Sequence, residues 1–113
     1  SVAAYPALSG AFLQVSGIRF TFDAAAEPGH RVTQLFVAGQ PVQAAKLYTV
    51  AINDFMHSGG DGYDMLMGTK IVGEYGTMEE LFSAYLNQYG VTITATDGRI
   101  QHVEEAAEED RAA

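Results

Sequence analysis

The residues with chemical promise lie in one run, Asn53-Asp54-Phe55-Met56-His57-Ser58-Gly59-Gly60-Asp61-Gly62-Tyr63. It sets an aromatic, three glycines and an acid within a few positions of one another. Glycines this close together permit positive φ and let the backbone come near a ligand. A carboxylate held in such a turn can accept hydrogen bonds from paired hydroxyls, such as those of a ribose. Phe55 follows an apolar segment, where its ring could offer a flat face to a base. The pattern suits recognition of a nucleotide better than catalysis. It also suits an ordinary structural turn, because Gly and Asp are common in strand-to-helix connections.

Other constellations are weaker. His30, His57 and His102 are far apart, and no His-x-x-x-His or Asp-x-His spacing links them as metal ligands. Asp61-Gly62-Tyr63-Asp64 lacks the alternating oxygen ligands and closing Glu of a calcium loop. Ser58 has no nucleophile elbow around it, and Asp54 with Asp61 does not read as a paired-acid site. Phe20, Phe22, Phe36, Phe82 and Tyr85 fall on periodic apolar faces and read as core. Phe55 breaks that pattern, and its place beside the glycines predicts an exposed ring.

The chain has 113 residues, one domain's worth, with 48% apolar content and no cysteine. Disulfides and thiolate metal sites are therefore excluded, and the redox compartment stays open. No apolar run approaches the ~20 residues of a membrane span, and no signal peptide is visible. The net charge is −8, and residues 104–113 hold much of it; without them nine acids face five bases, a charge of −4. A general nucleic-acid binder needs a basic surface, so that class is excluded, whereas a single nucleotide held by a few placed groups is not. Residues 104–113 read as a solvated acidic tail.

The elements that must position the loop can be read from periodicity. Ser1 to Ser9 reads as a helix end and loop broken at Tyr5-Pro6. Phe12 to Val15 reads as a short strand. Ile18, Phe20 and Phe22 alternate with Arg19 and Thr21, the period of a half-buried strand. Pro28-Gly29 turns the following loop. Val32 to Val37 is a strand, Ala38-Gly39 a hairpin turn and Gln40 to Val42 a short return. Leu47 to Ile52 reads as the strongest strand and feeds the glycine loop. Asp61 to Met67 allows a turn or two of helix, and Lys70 to Tyr75 is a linking loop, with a candidate short strand at Ile71-Val72. Thr77 and Glu80 form a capping box. The apolar spacing from Met78 to Tyr89 predicts a helix over 77–89, ended by Gly90 in the αL conformation. Val91, Ile93 and Ala95 predict a strand, turned at Asp97-Gly98, with Arg99 to Val103 returning. The class is α+β, mostly antiparallel strands with one main helix.

These words of sequence resemble a known family. Gly10-Ala11-Phe12-Leu13-Gln14-Val15-Ser16-Gly17-Ile18 is similar to the "G-x-F-L-Q-V-S-G-(L/I)" run in the C-terminal, substrate-binding domain of 5′-nucleotidases, a group that includes UDP-sugar hydrolases and 2′,3′-cyclic-nucleotide phosphodiesterases. Pro28 to Val32, Leu47 to Ala51, Asn53 to Tyr63 and Gly98-Arg99-Ile100 resemble four further family motifs in collinear order. The match covers about residues 8–103, and five ordered motifs are more specific than any one.

The resemblance implies a hydrolase of two domains in nucleotide catabolism. A metallophosphatase domain with two divalent metal ions performs hydrolysis, and a C-terminal domain grips the nucleotide. It implies that Phe55 is one of two aromatics enclosing the base and that Asp61 takes the ribose hydroxyls. Asn53, Gly59 and Gly60 would shape the loop, while Met56 and His57 receive no role. The family's phosphate-gripping arginines, its asparagine and its second stacking aromatic precede the motifs found here, and Arg19 and Arg31 do not match them. Residues 1–103 are thus expected to form the C-terminal part of the substrate-binding domain. They would bind a nucleotide or nucleoside without catalytic residues, cofactor or metal of their own. They are also expected to pair with the upstream half of that domain or with a second copy. An extracellular, periplasmic or cell-wall location follows from the same resemblance. A non-catalytic interaction module that keeps the fold without binding nucleotide is the competing reading. A free-standing enzyme fails for want of a catalytic constellation.

Overall fold

The computed structural model describes residues 1–91 and 95–103. They fall into two units, one of residues 1–47 with 96 onward, the other of residues 48–95. The predicted strand at Val91 to Ala95 and the acidic tail at 104–113 fall largely or wholly outside the described residues.

The first unit is a four-stranded mixed sheet in the order β3-β2-β1-β4. β1 (Ile18–Phe22) pairs antiparallel with β2 (Val32–Val37), which pairs antiparallel with β3 (Gln40–Pro41). β4 (Ile100–His102) lies parallel to β1, with Thr21 opposite Gln101. The period-2 pattern of β1 is realised: Phe20 and Phe22 are buried, and with Val2 they form the core. Tyr5, Phe12, Val15, Ile18, Ala24, Leu35 and Ile100 pack against it. Phe22 sits at its centre, with the Tyr5 ring edge-on at 4.9 Å and the Phe12 ring edge-on at 6.3 Å. Edge-to-face contacts match the positive ring edge to the negative face of its neighbour. The register slips between Thr21 and Phe22, so that Thr33 is the extra residue of a bulge. Its hydroxyl donates to the Thr21 carbonyl at 3.3 Å. Ala38-Gly39 closes the β2–β3 hairpin as predicted, both residues at positive φ.

The amino-terminal turn is tied to this sheet by Arg31. Its Nη1 donates to the carbonyls of Val2, Ala3 and Tyr5 at 3.0, 3.0 and 2.9 Å, and its Nε to Ala26 at 2.9 Å. Backbone carbonyls at a chain turn have no ladder to join, and one guanidinium satisfies four of them.

The second unit is helical. α1 (Asp54–His57) is followed by 3-10 turns at Gly60–Gly62 and Asp64–Leu66, the short helix expected over 61–67. α2 (Met78–Tyr89) begins as the capping box requires, with Thr77 Oγ1 accepting from the Glu80 N–H at 3.2 Å. At its end the Gly90 N–H donates to the Leu86 carbonyl at 2.8 Å. Gly90 has φ 71 and ψ −171, so the expected αL cap is replaced by an extended turn that still needs glycine.

Several expected strands are absent among the described residues. Phe12 to Val15 is irregular chain packed on the core, and Ile71-Val72 is coil. Leu47 to Ile52 is not a strand either, and Leu47 is 97% exposed. An apolar run becomes a strand only where a neighbouring edge takes its backbone hydrogen bonds, and among the described residues no strand is paired with this one. The segment after Asp97-Gly98 is a strand, as expected, and it pairs in parallel with β1; its expected hairpin partner lies largely outside the described residues. The apolar stripe of α2 contributes no buried residue, so Phe82 and Tyr85 are not core.

Candidate functional site

The loop at 53–69 is built by local capping chemistry. Asn53 is the N-cap of α1: its backbone is extended, and its side-chain oxygen accepts from the Met56 N–H at 2.8 Å. This satisfies a donor that the first helical turn leaves orphaned. Ser58 Oγ donates to the Phe55 carbonyl at 2.8 Å, and the Ser58 N–H to the Asp54 carbonyl, which closes α1 after one turn. The His57 ring nitrogen Nε2 lies 3.2 Å from the Thr69 carbonyl, and Thr69 Oγ1 donates to Leu66 at 2.7 Å. These bonds fold the far end of the loop back onto α1.

Two glycines are required by space, and Gly59 by conformation as well. A Cβ on Gly60 would lie 2.6 Å from the Phe55 ring carbons Cε1 and Cζ. The ring of Phe55 therefore packs against bare backbone at Gly60, and a side chain there would force the ring to move. Gly59 has φ 90, and a Cβ there would lie 2.8 Å from Met67 Sδ. A side chain at either glycine would collide with these neighbours. Met67 is a partner that sequence reading missed, because its irregular position among Met65 and Leu66 carries no periodic signal.

Phe55 stays 55% exposed even so. One edge is held by Gly60 and the remainder meets solvent. Asp61 follows immediately, at φ 56 and ψ 26. This left-handed conformation is unfavourable for side chains other than Asn and Asp, which tolerate it through local polar contacts. Among the described residues no group hydrogen-bonds the Asp61 carboxylate, and the residue is exposed. The loop so brings together Phe55 with Gly60, Asn53 with Met56, and Gly59 with Met67, and presents Asp61 one residue beyond the ring platform.

Among the described residues no group of three His, Asp or Glu side chains is placed to hold a metal ion. Arg31 is committed to backbone carbonyls, and Arg19 donates to the Asp97 carbonyl at 3.2 Å. At the same turn Arg99 pairs with Asp97, its Nε 2.9 Å from Oδ1. The Arg99 backbone N–H on that oxygen, then the guanidinium, hold the Asp97 carboxyl below its ordinary value.

Comparison with known proteins agrees with this architecture. The family model described as 5′-nucleotidase, C-terminal domain, matches residues 1–68. The chain is 36% identical over 110 residues to the 5′-nucleotidase of Bos taurus, covering 89% of this chain and 19% of that protein. It is 34% identical over 116 residues to the 5′-nucleotidase of Diplobatis ommata, covering 95% and 20%. The crystal structure of the 5′-nucleotidase precursor from Thermus thermophilus superposes with a TM-score of 0.77 at 31% identity, covering 92% of this chain and 22% of that one. With its mixed sheet and single main helix, this chain belongs to the 5′-nucleotidase C-terminal domain family. It spans about a fifth of the length of these relatives.

Proposed function

We propose that this chain is the nucleotide-recognition part of a 5′-nucleotidase-like phosphoric-ester hydrolase. Phe55 stacks on the base, Asp61 accepts from the ribose hydroxyls, and a separate metallophosphatase domain carries the two divalent metal ions and performs hydrolysis. The observation that carries the reading is the exposed Phe55 ring seated on Gly60, with the uncommitted Asp61 carboxylate next in the chain. A ring already held against backbone loses little freedom on stacking, so more of the contact appears as affinity. Base stacking on an aromatic contributes ~1–3 kcal/mol, which with one carboxylate gives binding in the millimolar range, near ~4 kcal/mol. Asn53, Gly59 and Gly60 act through the loop's shape and do not touch the ligand.

The chain by itself is inactive on this account, since the account places the metals that activate water and meet charge on phosphorus in the separate domain. Mixed with AMP and divalent cations, the purified chain should release no phosphate. Nucleosides should bind it weakly and saturably, and analogues lacking both ribose hydroxyls should bind several-fold more weakly. Metal-dependent release that a point change within these 113 residues abolishes, or equal binding of the dideoxy analogue, would overturn the assignment.

A further inference from the structure

The loop that carries Phe55 is closed by a residue to which the sequence assigns no role. α1 is a single turn, and a helix so short has no stability of its own. Its last residue, His57, reaches across to the Thr69 carbonyl, with ring nitrogen Nε2 at 3.2 Å. A carbonyl oxygen only accepts, so the proton of the neutral ring must sit on Nε2. Thr69 is fixed in turn by its own hydroxyl, which donates to the Leu66 carbonyl at 2.7 Å. Gly68 before it takes φ 73, which turns the chain back. Nested inside this contact is a second, between Gly59 and Met67. Residues 57–69 thus form a compact loop with its ends together, packed by its own side chains.

What this closure holds is the seat of the Phe55 ring. Phe55 belongs to α1, whereas Gly60, against which its ring packs, belongs to the closed loop. The chain entering Gly60 is tied to α1 by the Gly59 N–H, which donates to the Met56 carbonyl at 3.0 Å. The chain leaving Gly60 runs through Asp61 and the two 3-10 turns, and His57 bonds its far end to α1. Without that bond the span from Gly60 to Thr69 gains conformations, and Gly60 and Asp61 lose their fixed place relative to the ring. A platform that must be ordered at the moment of binding gives up affinity.

We propose that His57 is a positioning residue for the recognition loop: its bond from Nε2 to Thr69 holds Gly60 and Asp61 in place against Phe55 and so raises the affinity for a nucleoside. The choice of ligand rests on the nucleotide reading above, and the positioning is measurable apart from it. The test compares the labelled full chain with His57→Leu, which removes the donor, and with His57→Gln, whose amide nitrogen can take the place of Nε2. Without ligand, the α-protons of Gly60 should be displaced by the ring current of Phe55, a displacement lost in the Leu variant and kept in the Gln variant. Ring nitrogen shifts of the unaltered chain should show neutral His57 protonated on Nε2. Adenosine should bind the Leu variant about three- to tenfold more weakly, the range one neutral hydrogen bond spans, and the Gln variant within about twofold of the unaltered chain. Unchanged Phe22 ring signals verify that the sheet unit is intact in both. A Gly60 displacement that survives in the Leu variant, a neutral ring protonated on Nδ1, or equal affinities of the two variants would overturn the proposal. If the unaltered chain binds no adenosine, the nucleotide reading falls, and the Gly60 displacement alone decides whether His57 positions the ring.

Discussion

In the sheet unit Phe20 and Phe22 are 7% and 2% exposed, enclosed by rings and aliphatic chains from Tyr5, Phe12, Val15 and Leu35. In the unit of residues 48–95 no residue of α1, of the two 3-10 turns or of α2 is buried, and Phe82, at the middle of the apolar stripe, is 62% exposed. Both stretches are comparably apolar. The first is organised by burial, the second by caps, glycines and backbone hydrogen bonds. A periodic apolar face is therefore a requirement waiting for a second surface, and the sequence that writes the face does not supply its cover.

This difference should be visible in stability. Phe22→Ala removes the ring around which the core is organised, and by analogy with buried Phe truncations should cost about 3–5 kcal/mol or unfold the sheet unit outright. Phe82→Ala should change the urea midpoint of the isolated chain by the equivalent of less than ~1 kcal/mol, as exposed positions do. Similar losses at both positions would break the contrast.

Arg31 comes next in size. Arg31→Met keeps the aliphatic stem but removes the guanidinium bonds to the carbonyls of Val2, Ala3, Tyr5 and Ala26, of which Val2 keeps the Tyr5 N–H at 3.3 Å. Three of these bonds are partly buried, and leaving such acceptors unmet costs ~1–3 kcal/mol. The loss should appear as early exchange of amides near the amino-terminal turn. Late exchange there in the variant would show that this arginine is dispensable to the sheet unit.

How much of this was legible in the sequence follows the same division. Alternation placed β1 and β2, and the Ala38-Gly39 turn fixed their hairpin partner β3, because each signal is local. Thr77 and Glu80 marked the start of α2 for the same reason. Leu47 to Ile52 misled, because a strand is a property of two segments and the run shows only one. The parallel seat of β4 on β1 joins residues some eighty positions apart, a pairing that no local pattern encodes. In the loop, the exposure of Phe55 was legible from its place after the apolar run. The fit of its ring against Gly60 and of Met67 against Gly59 was not, since a glycine's reason for being bare is visible only from its neighbours.

The smaller effects sharpen the comparison. Thr77→Ala removes the acceptor for the Glu80 N–H. It should cost ~1 kcal/mol, read as lost helical circular dichroism with the sheet unit's aromatic signals unchanged. If those signals move too, the two units are not organised by separate means. The smallest effect is electrostatic. Asp97 has its carboxyl lowered from 3.8, first by the Arg99 backbone N–H and then by its side chain. A lowered folded value means that the associated stability is present above the unfolded value and is lost as pH falls through the folded one. Carboxyl chemical shifts should therefore show Asp97 titrating below 3.8. Arg99→Gln should move it partway back, because the backbone bond persists. A titration unmoved by that change would leave the side chain without a role at this turn.

The central claim concerns the loop at 53–69, and the most direct measurement of it is an amide-shift titration of the labelled chain with adenosine and uridine. The account predicts saturable shifts confined to the neighbourhood of Phe55, Gly60 and Asp61, with affinity in the millimolar range. Phe55→Ala should abolish them. Asp61→Asn, which keeps a residue tolerant of positive φ while removing the charge, should weaken binding of the riboside and leave a dideoxy analogue unaffected. Shifts that fail to saturate at those amides, or binding that survives Phe55→Ala undiminished, would contradict it.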